Sequence, residues 1–334
     1  MFSFRSRRRS FGAPDIAIDL GTANIIVAER GAGTIFNQPS ICCFETGVST
    51  NLVAAGSEAR AMIGRVSGPF RIARPLRGGV LSDMAAAREL IRFATRRAGG
   101  AWRVRRARAL VGVPNDATQA ERRALTTAVH DAGLGHVQLL PEPLMAAIGA
   151  GLDVDAPRGR MVIDCGAGTT EVVVISLGAI CLSSTARIGG DTLDEALLEH
   201  LVRRHRFQIG RPGAEQLKLE LARLGAADEA RDRAVTIKGL SLAAGLPETL
   251  SIAADELLHV CEKHLQAIVG IVIAALEHTP PELSRDILDD GILLTGGGAM
   301  TGLLSRRITE ATGLEARIAA APLDCVAHGL AQAL

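Results

Sequence analysis

The sequence predicts an α/β protein made of two related halves, on three observations. A motif occurs twice, as Asp15-Ile-Ala-Ile-Asp19-Leu-Gly21-Thr22-Ala23-Asn24 and as Arg160-Met-Val-Ile-Asp164-Cys-Gly166-Ala167-Gly168-Thr169. Strand-like and helix-like segments alternate through both halves, as expected of sheets covered on both faces. The chain has 334 residues, 48% of them apolar, which is too much for one simple core and suits two.

The first half opens on the strand ending at Asp19, and short strands follow at 34–41 and 51–55. Ser82 or Asp83 can cap a helix whose Leu90, Phe93 and Ala94 share a face and which Gly99-Gly100 ends. Ala107–Val113 is a buried strand. Thr118-Gln-Ala-Glu121 is a capping box that opens a helix closed by Gly133. A strand at 137–140 precedes a helix over Glu142–Gly149. In the second half, strands at 161–165, 171–176 and 179–187 lead to helices from Asp191 to about Arg204 and over 214–224. Strands are predicted at 235–238 and 248–252. A long helix runs from Asp255 to about Glu277, with Leu258, Leu265, Ile268, Val269 and Val272 inward and Pro280-Pro281 as its stop. The last core strand, 291–294, runs into Thr295-Gly296-Gly297-Gly298, near which another helix begins.

Three glycine-rich turns, Gly21–Asn24, Gly166–Thr169 and Gly296–Gly298, each follow an apolar strand. Glycine lets main-chain N–H groups approach phosphate oxygens, and the hydroxyls of Thr22, Thr169, Thr170 and Thr295 can add donors. One such turn is ordinarily just a tight turn, but three together point to a phosphate cradle. Asp19 and Asp164 end buried strands, where an unpaired charge is expensive and a hard cation such as Mg²⁺ would offset the cost. Glu142, between Pro141 and Pro143 at a helix start, admits two readings. It is a carboxylate stabilised by the helix dipole, or it orients water for attack on a terminal phosphate. No P-loop, dinucleotide fingerprint, nucleophile elbow or zincin motif is present.

Asp19-Leu-Gly-Thr-Ala-Asn24, Glu142-Pro143, Asp164-x-Gly-x-Gly-Thr-Thr-Glu171, Ile188-Gly-Gly-Asp191 and Leu294-Thr-Gly-Gly-Gly298 resemble the signatures of the actin superfamily, in the wording of the MreB family. The resemblance runs from about Pro14 to the C-terminus. It implies an actin-like ATPase fold: two ribonuclease-H-like subdomains, each with a smaller inserted subdomain. The halves would be 14–150, with an insertion near 37–70, and 151–334, with an insertion near 191–254 and C-terminal residues returning to the first half. It also implies ATP and Mg²⁺ as cofactors. The nucleotide would be held by Gly21, Thr22, Ala23, Asn24, Gly166, Ala167, Gly168, Thr169, Thr170, Gly190 and Asp191, with Glu215, Lys218, Gly296, Gly297, Gly298 and Ala299 about the adenosine. Asp19 and Asp164 would reach the metal largely through water. Glu142 would activate the attacking water that Thr169 helps place. ATP would favour filaments of the chain with itself, and hydrolysis would weaken them. In rod-shaped bacteria such filaments guide cell-wall synthesis with shape proteins. Where the family usually has Ile-Gly-Gly-Gly, this chain has Cys165-Gly166-Ala167-Gly168, and Ala167 is tolerable there only with a negative φ. A small-molecule kinase of the same superfold is the alternative from another class, as is another filament-based positioning ATPase. A chaperone ATPase is not expected, because no peptide-binding segment follows Leu334.

Formal charge is +1, from 37 basic and 36 acidic residues, so no nucleic-acid partner is expected from the global balance. The six cysteines form no C-x-x-C pair and no histidines stand at zinc-site spacing, so neither a disulfide framework nor a zinc site is expected. No stretch approaches 20 consecutive apolar residues and residues 1–10 lack a secretory pattern, which predicts a cytoplasmic chain. The tail 1–13 carries Phe2, Phe4 and four arginines by position 9, and Trp102 lies among Arg96, Arg97, Arg103, Arg105 and Arg106. Both suit anchoring at the inner face of the cytoplasmic membrane, as the family resemblance also implies. The plainer readings are a solvated tail and a Trp packed on its own domain.

Overall fold

The computed structural model describes residues 16–47, 50–99, 108–225, 233–300 and 302–334. In the first half, β1 (Ile16–Leu20), β2 (Asn24–Glu29) and β3 (Gly33–Pro39) form an antiparallel meander. The chain then leaves this sheet. β4 (Cys42–Thr46), β5 (Thr50–Ala55), the short helix α1 (Ser57–Ala61) and β6 (Phe70–Ala73) make a small three-stranded layer. A ribbon of β7 (Leu76–Arg77) and β8 (Val80–Leu81) leads to α2 (Met84–Gly99), β9 (Arg108–Val113), α3 (Gln119–Asp131), β10 (His136–Pro141) and α4 (Glu142–Gly149). β9 runs parallel to β1 and β10 parallel to β9, so the sheet order is β10-β9-β1-β2-β3.

The second half repeats the plan. β11 (Arg160–Cys165), β12 (Thr170–Ser176) and β13 (Ala179–Ala186) form the meander. α5 (Gly190–His205), β14 (Phe207–Gln208), α6 (Arg211–Gly225), β15 (Ala234–Ser241) and β16 (Leu246–Ala253) build the inserted layer. α7 (Ala254–Glu277), α8 (Pro281–Asp290), β17 (Ile292–Thr295), a 3₁₀ turn at Gly297–Met300, α9 (Gly302–Thr312), β18 (Ala316–Ile318) and α10 (Cys325–Ala333) complete the chain. The order β13-β12-β11-β17-β18 mirrors the first sheet, with the same parallel and antiparallel pairings. The register agrees too: Asp19 faces Ile26, Asp164 faces Glu171, and both partners lie seven residues on.

Local chemistry explains most of these elements. The runs Ile-Ala-Ile before Asp19 and Met-Val-Ile before Asp164 are wholly buried, as strands covered on both faces must be. Asp83, not Ser82, caps α2: its Oδ1 accepts the Ala86 N–H at 2.9 Å, while the Ser82 hydroxyl turns to the Arg74 and Pro75 carbonyls. The Thr118–Glu121 capping box forms with both reciprocal bonds. The strand expected over 34–41 stops at Pro39, and Ile41 is buried in the small layer's own cluster. Pro281 begins α8 rather than merely ending α7, since proline lacks only an N–H that the first helical turn leaves unused. α7 is long and apolar enough by length and composition to cross a membrane. Its Leu257, Leu258, Cys261, Leu265, Ile268 and Val272 nevertheless line the second-half core, and Val269 is only half-buried.

The two sheets are joined by a third cluster. Ala17, Ala28 and Leu110 of the first sheet and Val162, Val173, Ile175 and Leu293 of the second enclose Leu144 and Met145 of α4 and Val326 and Leu330 of α10. The last helix is therefore packed into the joint between the halves. Burying a side chain the size of Met145 or Leu330 contributes roughly 1.5–3 kcal/mol.

Candidate functional site

The repeated hairpins fold alike at their tips. Gly21 N–H donates to Asn24 O at 2.9 Å, and Gly166 N–H donates to Thr169 O at 2.8 Å. The two turns meet through a third element, Gly78-Gly79, between β7 and β8. Gly79 N–H donates to Thr22 Oγ1 at 3.2 Å. A Cβ on Gly168 would lie 2.6 Å from both Gly79 N and Thr22 Oγ1, and a Cβ on Gly79 would strike the Thr169 methyl. Only glycine lets three backbones approach this closely.

The second turn is braced from behind by α5. Gly190 N–H donates to Gly166 O and Asp191 N–H to Ala167 O, at 3.1 and 2.8 Å. Lys218 Nζ donates to Gly190 O at 3.1 Å and to Asp194 at 3.0 Å, so it clamps the start of α5. Among the described non-glycine residues only Leu177 and Arg206 have positive φ, so Ala167 meets the condition set by its methyl. The Cys165 sulfur lies 3.3 Å from Thr170 Oγ1, whose one proton goes to Ile188 O, and it packs where a side chain on Gly298 would be. Burial pushes its thiol up to about 11, which keeps it protonated.

Two of the expected phosphate-facing hydroxyls turn elsewhere. Thr170 is fully buried and donates to Ile188 O at 2.7 Å. Thr295 donates to Asp164 Oδ1 at 2.9 Å and so positions that carboxylate. Thr170 opens β12 and Thr295 ends β17, and both are fully buried, so each hydroxyl is spent on a partner inside the protein. Glu215 pairs with Arg60 of α1 at 2.7 Å. Gly296–Ala299 lie at the end of β17, beside Asp164 and Cys165.

Asp19, Asp164 and Glu142 converge. Burial, then the charges of Asp164 and Asp324, raise Asp19 to about 7. Burial raises Asp164. Burial, then Asp19, Glu171, Asp164 and Asp116 in that order, hold Glu142 well above the usual carboxylate range. Glu171 is 1% exposed and raised to about 8, chiefly by burial. Its Oε1 accepts the Asn115 N–H at 2.9 Å, while its buried Oε2 has no hydrogen-bond partner. Glu142 and Thr169 line one cavity of about 540 Å³ with Gly78, Gly79 and Asp116. Ala23, Asn24 and Ala167 border another of about 680 Å³, which Asp191, Glu215 and Lys218 also line.

Such a cluster of recessed acids needs either protons or a multivalent cation. The glycine turns beside it offer N–H groups to an anion. The donor set, carboxylate oxygens only, suits a hard cation such as Mg²⁺. Asp116, Glu171, Asp324 and the Gly78-Gly79 pair belong to this site and carried no sequence signal of their own, apart from Glu171 within the repeated motif. Phe2, Phe4 and Trp102 lie outside the described residues.

Comparison with known proteins agrees with this architecture. The family model described as MreB/Mbl protein matches residues 13–334. The cell shape-determining protein MreB of Escherichia coli (strain K12) is 39% identical over 330 residues, covering 98% of this chain and 94% of its own length. The crystal structure of MreB5 of Spiroplasma citri bound to AMPPNP matches with a TM-score of 0.87 at 33% identity, covering 95% of this chain and 94% of that one. The same protein bound to ADP matches with a TM-score of 0.88. The MamK double helical filament, at 20% identity and a TM-score of 0.78 over 96% of this chain and 98% of that one, shares the fold.

Proposed function

Because the chain belongs to the MreB/Mbl family and has the actin-like fold, we propose that it is a cytoskeletal ATPase that binds Mg-ATP between its halves. In this reading it assembles into membrane-associated filaments that organise cell-wall synthesis and rod shape. The observation that carries it is the convergence of Asp19, Asp164 and Glu142, on matched hairpin ends and a helix start, into one recessed acidic cluster flanked by two glycine turns. The nucleotide complexes of MreB5, a relative at 33% identity, support the same ligand.

The Gly21 and Gly166 N–H groups are used inside their own turns, so main-chain N–H groups of 22–24 and 167–169 would cradle the phosphates, with Lys218 and α5 holding the second turn in place. Asp19 and Asp164 would hold Mg²⁺ largely through its waters, and Thr295 fixes the Asp164 rotamer for that task. Bound there, Mg²⁺ would supply charge neutralisation for the phosphates. Glu142 would orient the attacking water and accept its proton, with Thr169 placing that water from across the same cavity. Phosphoryl transfer needs mainly positioning and charge compensation, which these rigid strand ends provide.

The deciding experiment is electron microscopy and light scattering of the purified chain with Mg-ATP. Filaments appearing above a threshold concentration are expected. Hydrolysis without concentration-dependent assembly would instead favour the small-molecule kinase. We place the filaments at the inner face of the cytoplasmic membrane, on the strength of Phe2, Phe4, Trp102 and their arginines in the sequence. Flotation with anionic liposomes should fall when residues 1–10 are deleted and Trp102 is replaced by Ala. Unchanged flotation removes that placement.

A further inference from the structure

Far from the cleft acids, His200 and His205 at the end of α5 meet Glu256 in the first turn of α7. His200 Nε2 lies 2.7 Å and His205 Nε2 2.8 Å from the same oxygen, Glu256 Oε1. The three ligand-capable atoms all fall within 4.8 Å of one another, and the imidazole rings are 6.0 Å apart. All three side chains are partly buried. The histidines are five apart, which is not the i,i+4 spacing of helical metal pairs, so the sequence does not announce the cluster. It is assembled by the docking of α7 against the end of α5.

We propose that His200, His205 and Glu256 form a binding site for one zinc-like divalent transition cation. Two imidazole nitrogens and a carboxylate oxygen are the donor set that selects Zn²⁺, Co²⁺ or Ni²⁺ over Mg²⁺ and Ca²⁺, which prefer oxygen throughout. With bonds of about 2.0–2.2 Å, ligand atoms around a tetrahedral Zn²⁺ stand about 3.3 Å apart. The two Nε2–Oε1 contacts need to open by about half an ångström, while the two imidazole nitrogens already stand within 4.8 Å of one another. That is within reach of three partly exposed side chains, and it leaves one position for water. Burial opposes ionisation of Glu256, but hydrogen bonds from both imidazoles outweigh it and hold the carboxyl below its usual range, ready as an anionic ligand.

The position gives the cation a structural consequence. His205 is the last residue of α5 and Glu256 lies in the first turn of α7, with 206–253 between the two helices. A cation here would therefore tie the end of α5 to the start of α7 and close the loop of chain between them. The same helix α5 that carries both histidines braces the second glycine turn at its other end through Gly190 and Asp191. Binding to the folded state alone would stabilise it by mass action.

The test uses tag-free, chelator-stripped full chain. Titration with Co²⁺ should give saturable d–d absorption at one equivalent without a thiolate charge-transfer band, and Zn²⁺ should displace it. Calorimetry with Zn²⁺ should give one site, and both H205Q and E256Q should weaken it at least tenfold. Circular dichroism checks that each variant is folded. The wild-type Co²⁺ spectrum judges the donor set even where a variant does not fold. Absence of saturable uptake overturns the proposal, as do a thiolate band or undiminished affinity in a folded H200Q/H205Q protein. The cluster is then a hydrogen-bonded helix clasp only.

Discussion

Arg60 on α1 and Glu215 on α6 meet at 2.7 Å, joining residues 155 positions apart from the inserted layers of opposite halves. Both side chains line the larger cavity, so the pair bridges its two walls. Both are also well exposed, at 45% and 37% of the side chain. The bridge is therefore worth at most about 1 kcal/mol and acts as a latch rather than a support. Replacing Arg60 by Ala should speed release of a fluorescent nucleotide by about two- to fivefold, with little change in melting temperature. Stopped-flow displacement reads this directly. The charge-swapped pair R60E/E215R should return the rate toward wild type, and failure to do so would deny the latch.

Asp164 and Glu142 should separate binding from turnover. Asp164→Ala should abolish Mg-ATP binding in a filtration assay, whereas Glu142→Ala should preserve binding and slow phosphate release. Retained affinity in the first variant or full turnover in the second would contradict the assigned roles. Thr295→Val should fall between, weakening Mg-ATP binding by loosening the Asp164 carboxylate, with phosphate release per bound nucleotide near wild type.

The acidic cluster also sets a pH dependence. Asp19 is raised from 3.8 to about 7 and Glu171 from 4.5 to about 8, both mainly by burial. A raised acid ionises more readily when unfolded, so the unfolded chain binds fewer protons through this window and stability falls as pH rises. Without divalent cation or nucleotide, urea midpoints should therefore decline between about pH 4 and pH 8 from these groups. Saturating Mg-ATP should flatten that decline, because a cation replaces the missing protons. A midpoint that rises with pH in the bare protein, after Asp19→Asn and Glu171→Gln have been used to isolate these groups, would refute the cluster's electrostatics.

The joint between the halves should tolerate no added methyl. A Cβ on Gly149 of α4 would run into the Cys325 carbonyl, and a Cβ on Gly329 of α10 would run into the Met145 carbonyl. The obstacle is backbone in both cases, so no side-chain rotation relieves it. Gly149→Ala and Gly329→Ala should each destabilise by about 3 kcal/mol, and the pair by less than the sum, since one helix displacement relieves both. Thermal melting reads the singles and the double. A loss under half a kcal/mol in either single variant would mean the helices cross elsewhere.

Much of the fold could be read from the chain because its signals are local. The Thr118–Glu121 box, the Asp-x-Gly hairpins and the buried β-branched runs each bring their own partners within a few residues. Gly78-Gly79, Asp324 and Asp116 gave no such signal, since each matters only through residues far along the chain. Pro281 was legible as a breaker but not as a helix start, because proline signals both.

Legible in the chain alone were the duplicated α/β plan, the three glycine-rich turns after apolar strands, and the pairing of Asp19 with Asp164 by their matched place in a repeated motif. Tertiary structure alone decided which hydroxyls face the cleft and which, like those of Thr170 and Thr295, turn inward. It likewise decided that Arg60 reaches Glu215 and that two histidines share one carboxylate oxygen with Glu256. The physical reason is range: hydrogen-bonded turns and caps are fixed within a few residues, whereas contacts between distant segments exist only once whole sheets and helices have packed.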